Sequence, residues 1–357
     1  MILEGKRILV TGGTGSLGKV LIRRLLGSEL GTPKQIIVFS RDEAKQHYMR
    51  MDYQNRSVAV NDFVYRNFQA LVTFRIGDVR NYDSVCSALR DVDVVFNTAA
   101  LKQVPTCEYF PFEAVRTNIN GPQNIVRAIR ELKLPIDTVV GISTDKACKP
   151  VNVMGMTKAI QERLFIDANL ECPQTRFICV RYGNVLISRG SVIPMFHEQI
   201  RNGGPVTITT TDMTRFLLSL DRAVDTIFAA LTDARRSETF IPRVSAARII
   251  DLANALIGQR PIEVQVIGIR PGEKIHESLI SEEEGNRTVI HSDEYYVIQP
   301  ILPELVDPNE LRPRLGREYS SADRILSREE LDDLLKTHRL RIEDKVNFEA
   351  EMSETSA

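Results

Sequence analysis

Lys6-Arg7-Ile8-Leu9-Val10-Thr11-Gly12-Gly13-Thr14-Gly15-Ser16-Leu17-Gly18 carries the first and strongest structural signal in this chain of 357 residues. Lys6 to Thr11 is a β-branched run that predicts a buried strand, and the helical pattern after it runs through about Leu30. Between them the glycines fall as G-x-x-G-x-x-G. Gly12 permits a tight turn, Gly15 lets a pyrophosphate approach the backbone, and Gly18 lets helix and strand pack closely. The helix N-terminus then faces the phosphates. Such a turn without a ligand is the plain alternative, but the strand before it and the helix after it favour a dinucleotide. Gly12, Thr14, Gly15, Ser16, Leu17 and Gly18 are the expected contacts.

Working outward, the second strand, Gln35 to Phe39, ends at Ser40-Arg41. A hydroxyl and a guanidinium at this tip suit a 2′-phosphate, so the expected cofactor is NADP rather than NAD, with Lys45 nearby, although Asp42 and Glu43 follow closely. Arg41 to Gln69 is long for one helix, and Asn55-Arg56-Ser57 and Asn61-Asp62 are expected to interrupt it. Leu71 to Ile76 predicts a third strand closing at Gly77-Asp78-Val79. Val92 to Phe96 predicts a fourth, closing at Asn97-Thr98-Ala99-Ala100-Leu101-Lys102, where small residues let a cofactor pass. Glu113 to Arg130 reads as a helix carrying Asn118. Strands and helices alternate to about Val180, which predicts an α/β fold with a doubly wound parallel sheet.

The apolar run Ile136 to Ile142 predicts another buried strand, and Ser143 to Lys158 (STDKACKPVNVMGMTK) leads from it into a helix. Thr144, Asp145 and Lys146 offer a hydroxyl, a carboxylate and an ammonium in succession, and Lys158 stands on the helix. At a parallel strand's end such groups point into the ligand crevice of an open α/β sheet. Beyond Arg181-Tyr182-Gly183-Asn184-Val185 the pattern loosens into short strands, such as Pro205 to Thr209 and Ile262 to Ile267, among helices and loops. The expected division is residues 1–182 as a dinucleotide-binding unit and 183–340 as a smaller, interwoven substrate lobe. A polar tail, 341–357, follows.

Charge is balanced, 46 Lys and Arg against 47 Asp and Glu, so a general attraction to nucleic acid is not implied. The five cysteines and five histidines form no zinc-type spacing, and no metal is expected. The N-terminus does not read as a signal peptide, and no apolar run approaches the ~18 residues needed to span a bilayer. A cytoplasmic, soluble protein is the expectation.

Across TGGTGSLG, SRDEAKQ, GDVRN, AALKQVP, TNINGPQN, STDKA, RYGNVLISRGSVIP, MTRF and GIRPGEKIHE, roughly residues 6 to 320, the chain resembles the UDP-N-acetylglucosamine 4,6-dehydratases. These belong to the extended short-chain dehydrogenase/reductases, which have a Rossmann fold. The superfamily's catalytic Tyr-x-x-x-Lys reads Met154-Gly155-Met156-Thr157-Lys158 here, with methionine in place of the tyrosine. The resemblance implies tightly held NADP, a UDP-sugar substrate, a homo-oligomer and a C5-inverting route to a 4-keto-6-deoxy sugar. A 5,6-ene-forming dehydratase, a UDP-sugar epimerase and a non-catalytic NADP-binding regulator are the alternatives. It makes Asp145 the acid for the departing C6 hydroxyl and Lys146 the base for C5, which requires a depressed lysine pKa. Lys158 would supply the depressing field and orient the ribose, and Asp145, through Thr144, would replace the tyrosine. Adenine is expected at Asp78 and Val79, and the cofactor also at Ala99, Ala100, Lys102 and Asn118. Asn184, Ser191 and Val192 match residues over the sugar and diphosphate. Arg215, Arg270 and Glu273 match those around the uridine and phosphates, while Lys102, Glu108 and Met154 lie near the sugar.

Overall fold

The computed structural model describes residues 1–54, 62–186 and 191–344. Six parallel strands form its centre: β1 (Arg7–Thr11), β2 (Gln35–Ser40), β3 (Val72–Ile76), β4 (Val94–Asn97), β5 (Thr138–Thr144) and β6 (Arg176–Tyr182). Their order is β6-β5-β4-β1-β2-β3. The direction of winding therefore reverses between β1 and β4, the position at which such sheets open a crevice. Three later strands extend the same sheet beyond β6. Thr239–Pro242 runs parallel to β6, and Tyr295–Ile298 and Thr288–Ile290 follow antiparallel. The second half of the chain thus contributes three strands to the same sheet.

Helices cover both faces. On one side α1 (Ser16–Leu26) packs Leu21, Ile22 and Leu25 against Val38, Phe96 and Val140 of the sheet, joined by Ile227 from the helix Leu220–Asp233. On the other, Val85, Ile125, Ile129 and Phe165 meet Val95, Val139 and Phe177. Each such side chain gains roughly 1.5–3 kcal/mol by leaving water. A separate cluster around Phe196, Leu252, Leu256, Leu331 and Leu335 is the core of the smaller lobe.

Two helix boundaries differ from expectation. The first helix stops at Leu26, because Ser28 turns to φ 56° and breaks the helical path. The long segment after β2 holds two helices, α2 (Glu43–Gln54) and α3 (Asp62–Leu71); of the expected interruptions, Asn55-Arg56-Ser57 and Asn61 lie outside the described residues, and Asp62 begins α3. The helix expected over Glu113 to Arg130 contains a π-helical turn, Arg116–Asn120, between Pro111–Val115 and Gly121–Glu131. Pro122 has no N–H to return to the carbonyl four residues back, which loosens the helix at Asn118.

Candidate functional site

The crevice is a single cavity of about 880 Å³ running from the glycine turn to the loop at Arg270. Its first wall is the turn itself. Gly12 adopts φ +66° and lies so close to β4 that a Cβ would meet the Ala99 Cα at 2.8 Å. Gly15 caps α1 without any side-chain hydrogen bond, and no acid occupies the first helical turn. First-turn amides and the positive end of a helix dipole therefore face the cavity unneutralised, which fits a dinucleotide's pyrophosphate. Ala99, Ala100 and Lys102 line the same stretch, and Asp78 and Val79 close its far end.

The second wall begins where β5 ends. Thr144 is its last residue, and Asp145–Ala147 form one 3₁₀ turn. The helix Val153–Glu171 starts from an Asn152 cap that accepts from the Gly155 N–H at 2.8 Å. At Gly155 a Cβ would stand 2.1 Å from the Lys146 carbonyl oxygen, so only glycine lets this helix lie on the Lys146 turn. That contact sets Met154 and Lys158, one helical turn apart, beside Thr144 and Lys146.

Thr144 Oγ1 donates to Asp145 Oδ1 at 2.8 Å. Lys146 Nζ donates to Asp145 Oδ1 at 3.1 Å and to Asn184 Oδ1 at 2.8 Å. Asp145 is wholly buried, and its Oδ2 has no hydrogen-bond partner among the described residues. It lies behind the cavity wall and reaches the cavity through Thr144 and Lys146. Lys146 departs from the expectation of a depressed pKa. Burial works against its charge, but Asp145 and Glu277 outweigh that and push its pKa up, so it rests as an ammonium. The lowered lysine is Lys158, brought to about 8 by burial. It donates to the Ile142 carbonyl and to Gln161.

Glu277, missed in the sequence reading, also stands on the cavity wall. It is buried, with Oε1 4.0 Å from Lys146 Nζ and 3.9 Å from Arg215 Nε. Burial and the charge of Asp145 push its pKa up. It closes the stretch GIRPGEKIHE, from which only Arg270 and Glu273 were taken; its place beside Lys146 is set by the fold.

The remaining candidates divide. Arg215 is buried and spends one nitrogen on the carbonyls of Thr214 and Ile275, while Arg270 is exposed at the cavity's far end. Ser191 caps the helix Val192–Arg201, whose N-terminus opens on the cavity beside Asn184, and Glu273 accepts from the Thr209 hydroxyl. Two candidates fall off the wall. Glu108 accepts from the Val153 N–H at 2.7 Å, at the start of the helix Val153–Glu171. Asn118 is buried, tying Leu101 to Thr157.

The family model for polysaccharide biosynthesis proteins matches residues 8–300. The chain belongs to that family. With it comes membership of the extended short-chain dehydrogenase/reductases that include sugar-nucleotide epimerases and dehydratases. An uncharacterized membrane protein of Methanocaldococcus jannaschii is 41% identical over 93% of this chain and 96% of its own. Among the described residues no helix is long and apolar enough to cross a membrane. The UDP-glucose 4-epimerase of Rickettsia prowazekii is 44% identical over 78% of this chain and 79% of its own. Pen from Bacillus thuringiensis superposes with a TM-score of 0.83 at 34% identity, covering 95% of this chain and all of that one. The activity named among these relatives is that of the Rickettsia epimerase.

The NADP expectation is overturned. Several structures similar to this one carry a bound NAD. Examples are DesIV, a dTDP-glucose 4,6-dehydratase from Streptomyces venezuelae (TM-score 0.66, 18% identity, 93% of this chain and 97% of that one), and UDP-glucuronic acid 4-epimerase from Bacillus cereus (0.61, 21%, 75% and 88%). The β2 tip gives the physical reason. The Ser40 hydroxyl accepts from Gln46 at 3.0 Å, and Lys45 is paired with Asp42 at 3.1 Å. Two of the groups expected to meet a 2′-phosphate are thus already engaged, and Asp42 sets a carboxylate beside Arg41.

Proposed function

We propose that the protein is a UDP-sugar-modifying enzyme of the epimerase/dehydratase type that uses NAD and catalyses 4,6-dehydration of a UDP-N-acetylhexosamine. The carrying observation is the acid–base group of Asp145, Lys146 and Glu277 beside a cavity wall on which Met154, four residues before Lys158, offers no proton. Epimerisation at C4 needs a proton moved only at the C4 hydroxyl. Dehydration needs protons moved at that hydroxyl, at C5 and at the C6 hydroxyl, and this group supplies enough sites. The second reading, 4-epimerisation, is favoured by the Rickettsia relatives.

The bound nicotinamide would supply reversible hydride transfer at the sugar. Its pyrophosphate would rest on Gly12, Gly15 and the α1 N-terminus, and its ribose beside Lys158. A sugar hydroxyl bonded to Thr144 passes its proton to Thr144 Oγ1, whose own hydrogen moves to Asp145 Oδ1. This relay replaces the absent phenol. The N-terminus of the helix after Ser191, with Arg215 and Arg270, suits the UDP diphosphate, since helix ends and guanidinium forks both favour phosphate oxygens.

Conversion of UDP-N-acetylglucosamine carrying deuterium at C4 tests the reading. The expected product has lost water and carries the deuterium at C6. A product of unchanged mass with inverted C4 makes the protein an epimerase, and an exocyclic alkene places it with the 5,6-ene enzymes. Absence of turnover with purified, NAD-loaded protein rejects both enzyme readings in favour of a binding protein.

A further inference from the structure

In the dehydration proposed above, the resemblance makes Lys146 the base for C5, yet the site holds Lys146 as an ammonium between Asp145 and Glu277. An ammonium is an acid, so the C5 proton needs another acceptor. Asp145 lies behind the wall and is engaged by Thr144 and Lys146. Glu277 is on the wall, and it differs from Asp145 in what surrounds it. Three cations stand at the outer edge of ion-pair range: Lys146 at 4.0 Å, Arg215 at 3.9 Å and Lys274 at 4.0 Å. None is within hydrogen-bond reach, and Glu277 Oε2 is buried with no hydrogen-bond partner among the described residues. Its backbone is fixed, with the N–H donating to Ser321 Oγ at 3.0 Å and the carbonyl accepting from the Ser321 N–H at 2.8 Å. A buried carboxylate with free lone pairs is costly for stability alone, and such groups call for a functional explanation.

We propose that Glu277 is the base that removes the C5 proton and that Lys146 is the acid that protonates the departing C6 hydroxyl. The proposal rests on the dehydratase reading. Once C4 is a ketone, the C5–H bond breaks and its proton goes to a Glu277 oxygen. The C–H electron pair becomes the C5–C6 double bond. The C6–O bond breaks, and its oxygen takes a proton from Lys146 Nζ and leaves as water. Lys146, now an amine, regains a proton from Asp145, which holds the one received through Thr144 from the C4 hydroxyl. Glu277 returns its proton to C5 when C6 is reduced. The cycle closes without a net proton.

The 4-keto-6-deoxy product isolates this step, because exchange beside a ketone needs a base and no hydride chemistry. Full-length, NAD-loaded protein is incubated with that product in D₂O and deuterium at C5 is followed by NMR. Wild type is expected to exchange C5, and Glu277→Gln to slow exchange at least ~100-fold, the low end for a general base. Lys146→Arg keeps the positive charge but is not a usable acid. It is expected to keep C5 exchange within tenfold of wild type while losing water elimination from substrate. Thermal melting and UDP binding check that Glu277→Gln is folded. If it is not, Glu277→Asp, one methylene shorter, decides by the same exchange, slowed at least tenfold if Glu277 is the base. Exchange at the wild-type rate in Glu277→Gln, or in Glu277→Asp when that variant decides, overturns the proposal. So does loss of exchange in Lys146→Arg with exchange retained in Glu277→Gln, which makes Lys146 the base. A wild type that yields only an epimer and exchanges nothing at C5 overturns the dehydratase reading itself. A wild type that eliminates water beside a freely exchanging Glu277→Gln overturns only the assignment of Glu277.

Discussion

Two buried ion clusters lie on neighbouring strands and are built from the same chemical groups, but they are finished differently. In the first, Arg181 on β6 donates all five of its N–H groups: to Glu162 at 2.9 and 2.6 Å, to Glu284 at 2.8 and 2.9 Å, and to the Leu279 carbonyl at 2.8 Å. In the second, Lys146 and Glu277 stand 4.0 Å apart, and Asp145 Oδ2 and Glu277 Oε2 have no hydrogen-bond partner among the described residues. The first is saturated and closed, tying the smaller lobe's Glu284 to the sheet. The second is undersaturated and opens on the cavity. Saturation fixes protonation states, whereas missing hydrogen bonds leave protons free to move. By this contrast the Arg181 cluster serves the fold, and the Lys146 cluster is suited to chemistry.

The sharpest way to break this comparison is to remove one cation from each cluster. Lys146→Ala is expected to cut kcat for elimination by about 10²–10⁴-fold with a smaller effect on substrate binding. A kcat within threefold of wild type, with elimination shown to be rate-limiting, would remove Lys146 from the mechanism. Arg181→Met strands two buried carboxylates and is expected to cost about 3–5 kcal/mol of stability, the range for breaking a buried pair. Urea denaturation measures it, and a loss below about 1 kcal/mol would mean the cluster does not hold the fold.

A third, somewhat smaller effect follows from pH. Burial opposes the Glu284 charge, but Arg181 and the Ser281 N–H win and hold its pKa near 2, below the usual 4.5. Between those values the unfolded chain binds more protons than the folded one. Its stabilisation is therefore complete above about pH 4.5 and is lost as pH falls toward 2. The span corresponds to about 3 kcal/mol. Stability measured from pH 6 to pH 3 should fall less steeply in Glu284→Gln than in wild type, and parallel curves would refute the assignment.

Sequence reading reached the first wall of the site and part of the second because those signals are local. A strand, a glycine turn and a helix are contiguous at Gly12 to Gly18, and Thr144 to Lys158 is one strand end and one helix. The rest depends on groups brought together from far along the chain. Glu277 meets Lys146 only through the fold, and that meeting reverses the expected direction of the lysine's pKa. At the β2 tip, Ser40-Arg41 suggested a phosphate site, but Gln46 engages the Ser40 hydroxyl and Asp42 engages Lys45, side-chain contacts that residue types alone do not state. Asn118 was expected at the cofactor, and the π-helical turn directs it instead to Leu101 and Thr157.

The smallest expected effect belongs to Met154, and it sharpens the comparison by testing the part of the site that carries no proton. Met154 is buried with Cys107 and Ala114, against Leu101, Val104 and Val153, and it lines the cavity. A thioether is a poor acid or base, so its contribution is shape. Met154→Leu conserves volume and is expected to cost less than about 1.5 kcal/mol. Turnover should stay within about threefold, and C4 deuterium should still appear at C6. Met154→Tyr would restore the superfamily's pattern in sequence, but it adds a ring to a packed cluster and should cost about 1–3 kcal/mol. If the Thr144–Asp145 relay already serves the C4 hydroxyl, that phenol gives no gain in rate. A Met154→Tyr enzyme that turns over faster than wild type, or that rescues Thr144→Val, would mean the relay is a poor substitute for tyrosine. In that case the methionine limits the chemistry of the site.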